Sequence, residues 1–462
     1  MLDSDDKQCK VQKRNWLLYA MMFFAVFFVL FQKPAFAHEL VVEEGQSIQA
    51  VIDQAAAGAK IVVPKGVFKE NLTISKPITI AGMEGAVIDG GNKGNVITVN
   101  EADNVVITGL TIQNSGSAEK DSGIYLVKGT NNRIEGNRFI NNHFGINVDK
   151  GTDHLIVNNE IKGDATHFSK RGNGIHLFKG SGHFIKNNQI DSVQDGVYFD
   201  FTKKIHVVNN SIKSSRYALH YMFSGDILTE ENNLTENVTG LMVMDSNSLK
   251  FLNNVVTDHF HFRGFGVLIY DAKDIYLEGN EIIRNSTGIS FEKGVNTETV
   301  KNIIAANQVG LEFIGENSGN IFSENNFISN IVQSKIANEK MRLDNGKLGN
   351  YWDDYGQFDV TGDGIGETYY KAGSLYDQLL RKQPYWQFFF ESPAVKLWSK
   401  AESLFPSLGS ANVFDELPAI EPFPLSKQKS VKEHGRSGMV ILTAAVLLLV
   451  ASITIIKGRK LS

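Results

Sequence analysis

The sequence predicts an all-β fold: a right-handed parallel β-helix solenoid with a small aromatic and helical C-terminal region and a C-terminal transmembrane helix. The first observation is a refrain of about 21 to 29 residues, repeated from roughly residue 104 to residue 350. Each turn reads approximately G-I/V/L-x-apolar, a gap, then an asparagine, which recurs at Asn137, Asn159, Asn188, Asn210, Asn233, Asn254, Asn280, Asn326 and Asn350. The second is period two: in Gly174–Phe178, His183–Ile190 and Gly196–Asp200, apolar residues alternate over a few positions and stop at Asn, Gly or Asp. The third is length. A repeat this short cannot bury its own apolar face, so its neighbours must. One coil per repeat then stacks at about 4.8 Å on the next, with Ile, Val, Leu and Phe inward and asparagines at corners that demand left-handed backbone.

The turn length and Asn-rich corner resemble right-handed carbohydrate-binding and sugar-hydrolase β-helices. A left-handed hexapeptide helix would show a strict six-residue repeat, a propeller longer blades and a horseshoe a Leu-rich consensus. None of these is present.

In chain order, residues 1–37 read as a signal peptide. Lys7, Lys10, Lys13 and Arg14 precede an apolar run, and Pro34-Ala35-Phe36-Ala37 supplies small residues for cleavage before His38. Residues 38–350 are the β-helix. Residues 351–410 are a C-terminal cap or docking region holding Trp352, Trp386, Trp398 and the aromatic stretch Pro384–Phe390, with a short helix expected from about Ser392-Pro393. Residues 411–438, rich in Pro and charge, read as an extended or mobile linker. Residues 439–456 are apolar for long enough to cross a bilayer. They are followed by a basic tail, 457–462, which predicts a protein that is periplasmic and tethered to the inner membrane.

The only cysteine is Cys9, in the signal segment, so the mature chain has neither a disulfide nor a thiolate metal ligand. A net charge of −5, with no concentrated basic face, argues against nucleic acid.

Aligning the repeats on their glycine gives two outward columns. One reads Tyr125, Asn147, His176, Tyr198, His220, Met242, Leu268, Ser290, Glu312. The other reads Val127, Asp149, Phe178, Asp200, Met222, Met244, Tyr270, Glu292, Ile314. His220, Met222, Met242 and Met244 therefore converge on one face of two stacked coils. Thioether and imidazole suit soft Cu(I) and are poor ligands for Mg²⁺ or Ca²⁺. His176, His259 and His261 are possible auxiliary copper ligands. A Met-rich patch under a loop or partner, with no metal, also accounts for these residues. Asp359, Thr361, Asp363 and Glu367 resemble a shortened oxygen-ligand loop for a hard cation such as Ca²⁺, without the distal glutamate of a full hand. A plain Asp/Gly turn is the alternative. Polysaccharide chemistry would need an acidic pair, for which Asp200, Asp245 and Glu292 are the outward candidates. The face is nevertheless mainly methionine and aromatic, and the chain is read as a non-enzyme. A non-metal docking scaffold and a carbohydrate-binding or carbohydrate-modifying β-helix stay open as alternatives.

Gly349–Tyr355 (GNYWDDY), Asp359–Glu367 (DVTGDGIGE), Ser392–Pro406 and the repeats ALHYMFS and GLMVMDS give a more specific signal. On these residues the chain resembles the NosD family of periplasmic maturation proteins for the copper sites of nitrous oxide reductase, over nearly everything from Gln46 to Pro406. The resemblance implies a right-handed β-helix working with an ABC transporter permease and ATPase, a periplasmic copper chaperone and nitrous oxide reductase. The chain has no P-loop, so ATP hydrolysis is expected in a partner only.

Overall fold

The computed structural model describes residues 39–163, 167–262, 264–336, 340–372, 384–389, 392–404 and 413–424. Three parallel sheets run along it, and each full coil gives one short strand to each. The first sheet has thirteen strands, from Glu39–Val41 to Ile321–Ser323. The second has twelve, from Leu72–Ile74 to Val332–Ile336, and the third thirteen, from Gly66–Lys69 to Tyr351–Trp352. The parallel β-helix expected from the repeats is the observed architecture.

The interior is a stack of like residues. In the second sheet Val197, Leu219 and Leu241 pair in register and are fully buried, as are Phe199, Tyr221 and Val243 two residues on. The refrain's glycine has a steric cause. A Cβ on Gly266 would stand 2.6 Å from the carbonyl oxygen of Gly288 in the next coil.

One corner is built on buried asparagines, Asn137 through Asn159, Asn188, Asn210, Asn232, Asn254, Asn280, Asn302 and Asn325 to Asn350. Each side-chain oxygen accepts the backbone N–H of the rung before it, and the amide nitrogen donates to a backbone carbonyl. Asn210 N and Nδ2 both reach Asn232 Oδ1, at 2.9 and 3.0 Å, and Asn232 Nδ2 reaches Val207 O at 3.0 Å. The rungs are Asn232 and Asn325, one residue before the Asn233 and Asn326 read from the sequence. In both doublets the second asparagine begins a strand of the third sheet. Two parallel ladders use histidine as a rung. His259 stands between Asn237 and Asn285, and His154 and His183 follow Asn132.

Both ends are closed. At the N-terminal end the helix Ile48–Gln54 buries Ile48, Val51 and Ile52, with Ser47 as its cap and Glu70 accepting the N–H groups of Ile48 and Gln49. At the other end Trp352 is stacked between Phe327 (4.0 Å) and Tyr370 (4.3 Å). Strands Met341–Arg342, Tyr370–Ala372 and Val413–Asp415 form a small sheet there. Asp415 is the terminal rung. Its Oδ2 accepts Asn350 N (2.7 Å), Asn350 Nδ2 (3.1 Å) and Trp352 Nε1 (3.0 Å), and its Oδ1 accepts Leu417 N (3.0 Å). Residues 413–424, inside the span expected as linker, are thus docked on the solenoid. The expected short helix is Pro393–Leu404, capped by Ser392, and it packs Val395 onto Val309 and Val332 at the edge of the second sheet.

The transmembrane element of the expected fold, and with it the inner-membrane tether, is corrected. Among the described residues no helix is long and apolar enough to cross a membrane. The apolar run 439–456 on which that expectation rested lies outside the described residues, as do the signal segment 1–37 and the tail 457–462.

Candidate functional site: the outer flank of the second sheet

The outward columns fall in the register expected from the glycines. Tyr198 pairs with His220 and His220 with Met242; Asp200 pairs with Met222 and Met222 with Met244. His220 lies on strand Tyr217–Met222, and Met242 and Met244 lie on Thr239–Met244. The three methionines are half-buried, while His220 is only 7% exposed.

His220 is held on every side. Its ring stacks on Tyr198 at 4.5 Å, and Tyr198 stacks in turn on His176 at 4.9 Å. Tyr217 meets it edge-on at 5.1 Å. Its Nδ1 lies 2.9 Å from Asp195 Oδ2. A carboxylate only accepts, so Nδ1 carries a proton, and in the neutral imidazole Nε2 then presents a lone pair. That Nε2 is buried and meets no hydrogen-bond donor of the protein. Burial pushes the Asp195 carboxyl up, but hydrogen bonds from His220 and Arg216 outweigh it and hold the group below the ordinary carboxylate range. Tyr198 donates to Met222 Sδ at 3.2 Å, which fixes that thioether on the same flank. Burial, with Asp200 and Asp195 nearby, pushes the Tyr198 hydroxyl up to about 12, so it remains a donor.

The remaining predicted residues are distributed differently. His176 shares the column two coils before His220, with both ring nitrogens buried and unpartnered, and burial pushes it down to about 4. His259 faces the interior as a ladder rung, pushed down to about 3 by burial. His261, two residues on, is exposed beside a surface hollow lined also by His167, Glu236 and Asp258. The structure therefore does not bring these two histidines to the methionine patch. Among the described residues, no three His, Cys, Asp or Glu side chains form a metal-holding group.

In the Asp/Gly loop the carboxylates accept their own backbone. Asp359 takes Gly362 N and Gly364 N, Asp363 takes Ile365 N, and Glu367 takes Val360 N and Thr361 N. Of the outward acids, Asp245 sits at a corner with φ 47°, off the columns. Glu292 and Glu312 are pushed up by burial, and Glu292 also by Glu312.

Sequence reasoning missed Asp195 and Arg216, the groups behind His220. The signal was in the column immediately before the glycine, where Asp195 faces Tyr217 across coils.

The fold is that of a right-handed parallel β-helix protein, with the candidate side chains on the outer face of its second sheet. Residues 68–192 match the family described as "Right handed beta helix region". The gene product 12 of bacteriophage phi29 shares the fold, with a TM-score of 0.56 at 13% identity over 73% of this chain and 55% of that one. Residues 157–357, the span that carries the methionine patch, match the family described as "Periplasmic copper-binding protein (NosD)". Over that span the chain is similar to the NosD family. Two relatives carry the description "Probable ABC transporter binding protein NosD". The one from Stutzerimonas stutzeri is 29% identical over 81% of this chain and 89% of its own length. The one from Pseudomonas aeruginosa is 27% identical over 78% and 89%.

Proposed function

We propose that this protein is a periplasmic accessory factor that handles Cu(I) for maturation of the copper centres of nitrous oxide reductase. It acts beside an ABC transporter permease and ATPase and receives the ion from a periplasmic copper chaperone. The observation that carries the reading is His220 Nε2, a buried lone pair with no protein partner, in register with Met242 and beside Met222 and Met244. Leaving such an acceptor unpaired costs about 1–3 kcal/mol, and a soft cation is the occupant its neighbours suit. Neutral thioether and imidazole ligands release Cu(I) more readily than a thiolate cage would, as a transfer role requires. Copper is cargo in this reading, and the chain performs no covalent chemistry. The part from 351 to 410 serves to dock the partner, a role supported by the exposure of Tyr385, Trp386, Phe389, Leu397 and Trp398.

The test is an anaerobic Cu(I) titration against a competing chelator, beside a variant with His220, Met222, Met242 and Met244 all replaced by Ala. Stoichiometric binding that disappears in the folded variant is expected. No binding by the parent protein would refute the reading and leave a docking scaffold.

A further inference from the structure

Asp195 opens strand Asp195–Asp200, one coil before His220, and its side chain is 1% exposed. It receives three charge-assisted hydrogen bonds. One comes from His220 Nδ1 at 2.9 Å, and two from Arg216, Nε at 2.8 Å and Nη2 at 2.7 Å. The Arg216 guanidinium is itself fixed over the ring of Tyr217 at 4.4 Å. Each member of the trio therefore has one available geometry.

A carboxylate behind a histidine fixes the tautomer and makes the far nitrogen a better ligand. Here the carboxylate is not alone. The fork of Arg216 covers both of its oxygens, so the charge behind the imidazole sums to zero. We propose that Asp195 and Arg216 set how tightly His220 holds a soft cation: Asp195 aims Nε2 outward as the ligand, and Arg216 cancels the carboxylate's charge so that the ion can leave. Both act through His220 as positioning residues. The inference rests on the copper reading above and adds how that site is kept exchangeable.

Two measurements on the whole protein separate the parts. The first reads the imidazole nitrogens of His220 by ¹⁵N NMR without metal. The parent should carry the proton on Nδ1, and a proton on Nε2 overturns the role of Asp195 whatever copper does. The second compares Cu(I) affinities of variants that melt like the parent. Arg216→Gln keeps a donor to Asp195 but removes the charge, and should tighten binding on the order of tenfold. Arg216→Lys restores the charge and should return affinity toward the parent's. Asp195→Asn should weaken binding about tenfold or more. Equal or weaker binding by Arg216→Gln refutes the attenuating role, and if Gln does not fold, Arg216→Met serves instead. If His220→Ala leaves Cu(I) binding unchanged while the proton is on Nδ1, the copper lies elsewhere and the attenuation fails while the copper reading stands; no Cu(I) binding by the parent refutes the copper reading itself.

Discussion

Replacing Asn232 by Ala, with Asn233→Ala as its control, tests the ladder at single-residue precision. Asn232 Oδ1 is the acceptor for Asn210 N and Asn210 Nδ2, and its own Nδ2 serves Val207 O, Glu230 O and Asn254 Oδ1. Truncation leaves one backbone donor, Asn210 N, buried without its acceptor, which costs about 1–3 kcal/mol. Asn210 Nδ2 keeps Ile185 O and Val208 O. Asn254 Oδ1 keeps the Asn232 backbone N–H. The other bonds are thus lost at the ordinary net value of about 1 kcal/mol each. With four such bonds the expected loss is about 5–7 kcal/mol, against about 0.5 kcal/mol or less for the exposed neighbour Asn233. Urea unfolding followed by far-ultraviolet circular dichroism reads both, with midpoints compared at matched slopes. Equal losses from the two substitutions would refute the ladder register and the argument built on it.

Burial pushes Asp415 up to about 6 against the pull of four donors, so the folded state binds its proton more tightly than the unfolded chain. Stability from this group is present below pH ~4 and falls by up to about 3 kcal/mol as pH rises to about 6; Asp415→Asn should flatten that slope in denaturation measured from pH 4 to 7. His183 has the opposite sign. Burial lowers it to about 3, so the unfolded chain takes up the proton first and stability is lost as pH falls below about 6.5. His183→Asn, which preserves a ladder rung, should move the acid-unfolding midpoint to lower pH, and an unchanged midpoint would sink the assignment. Gly266→Ala drives a Cβ to within 2.6 Å of Gly288 O and should cost about 1–3 kcal/mol; a thermal melt that does not fall contradicts the close stacking of those coils.

The flank was legible because a glycine, or Ala218 in the coil of His220, marks the phase of the coils. Once the glycines are aligned, alternation alone assigns Tyr198, His220 and Met242 to one column, and the strand registers agree. The ladder was legible only to within a residue. The doublets Asn232-Asn233 and Asn325-Asn326 offer two equivalent readings, and the choice is made by the left-handed residue before the rung, Glu231 at φ 54° and Glu324 at φ 56°, which no local composition marks. His259 looked like a ligand because alternation was extended past the end of strand Val255–Thr257 into a corner, where the period of two no longer holds. Asp415 was hidden for a different reason. Its segment is polar and proline-rich, and its single short strand becomes meaningful only when a distant open rung needs a carboxylate. Asp195 and Arg216 belong to a contact between coils 21 residues apart. Its trace in the sequence is the residue before the glycine, a column that the outward alternation does not read.

The asparagine ladder has a direction. Each rung's backbone N–H finds its side-chain acceptor on the coil that follows it. During synthesis no coil can complete its polar interior until its successor has emerged. A partly synthesised stack of coils thus has its last rung one bond short. The shortage is passed along the whole solenoid and ends only when Asp415 arrives, 65 residues after the last asparagine it serves. Closure of the scaffold is thereby made conditional on synthesis through Asp415, so a chain cut before it keeps its final rung open.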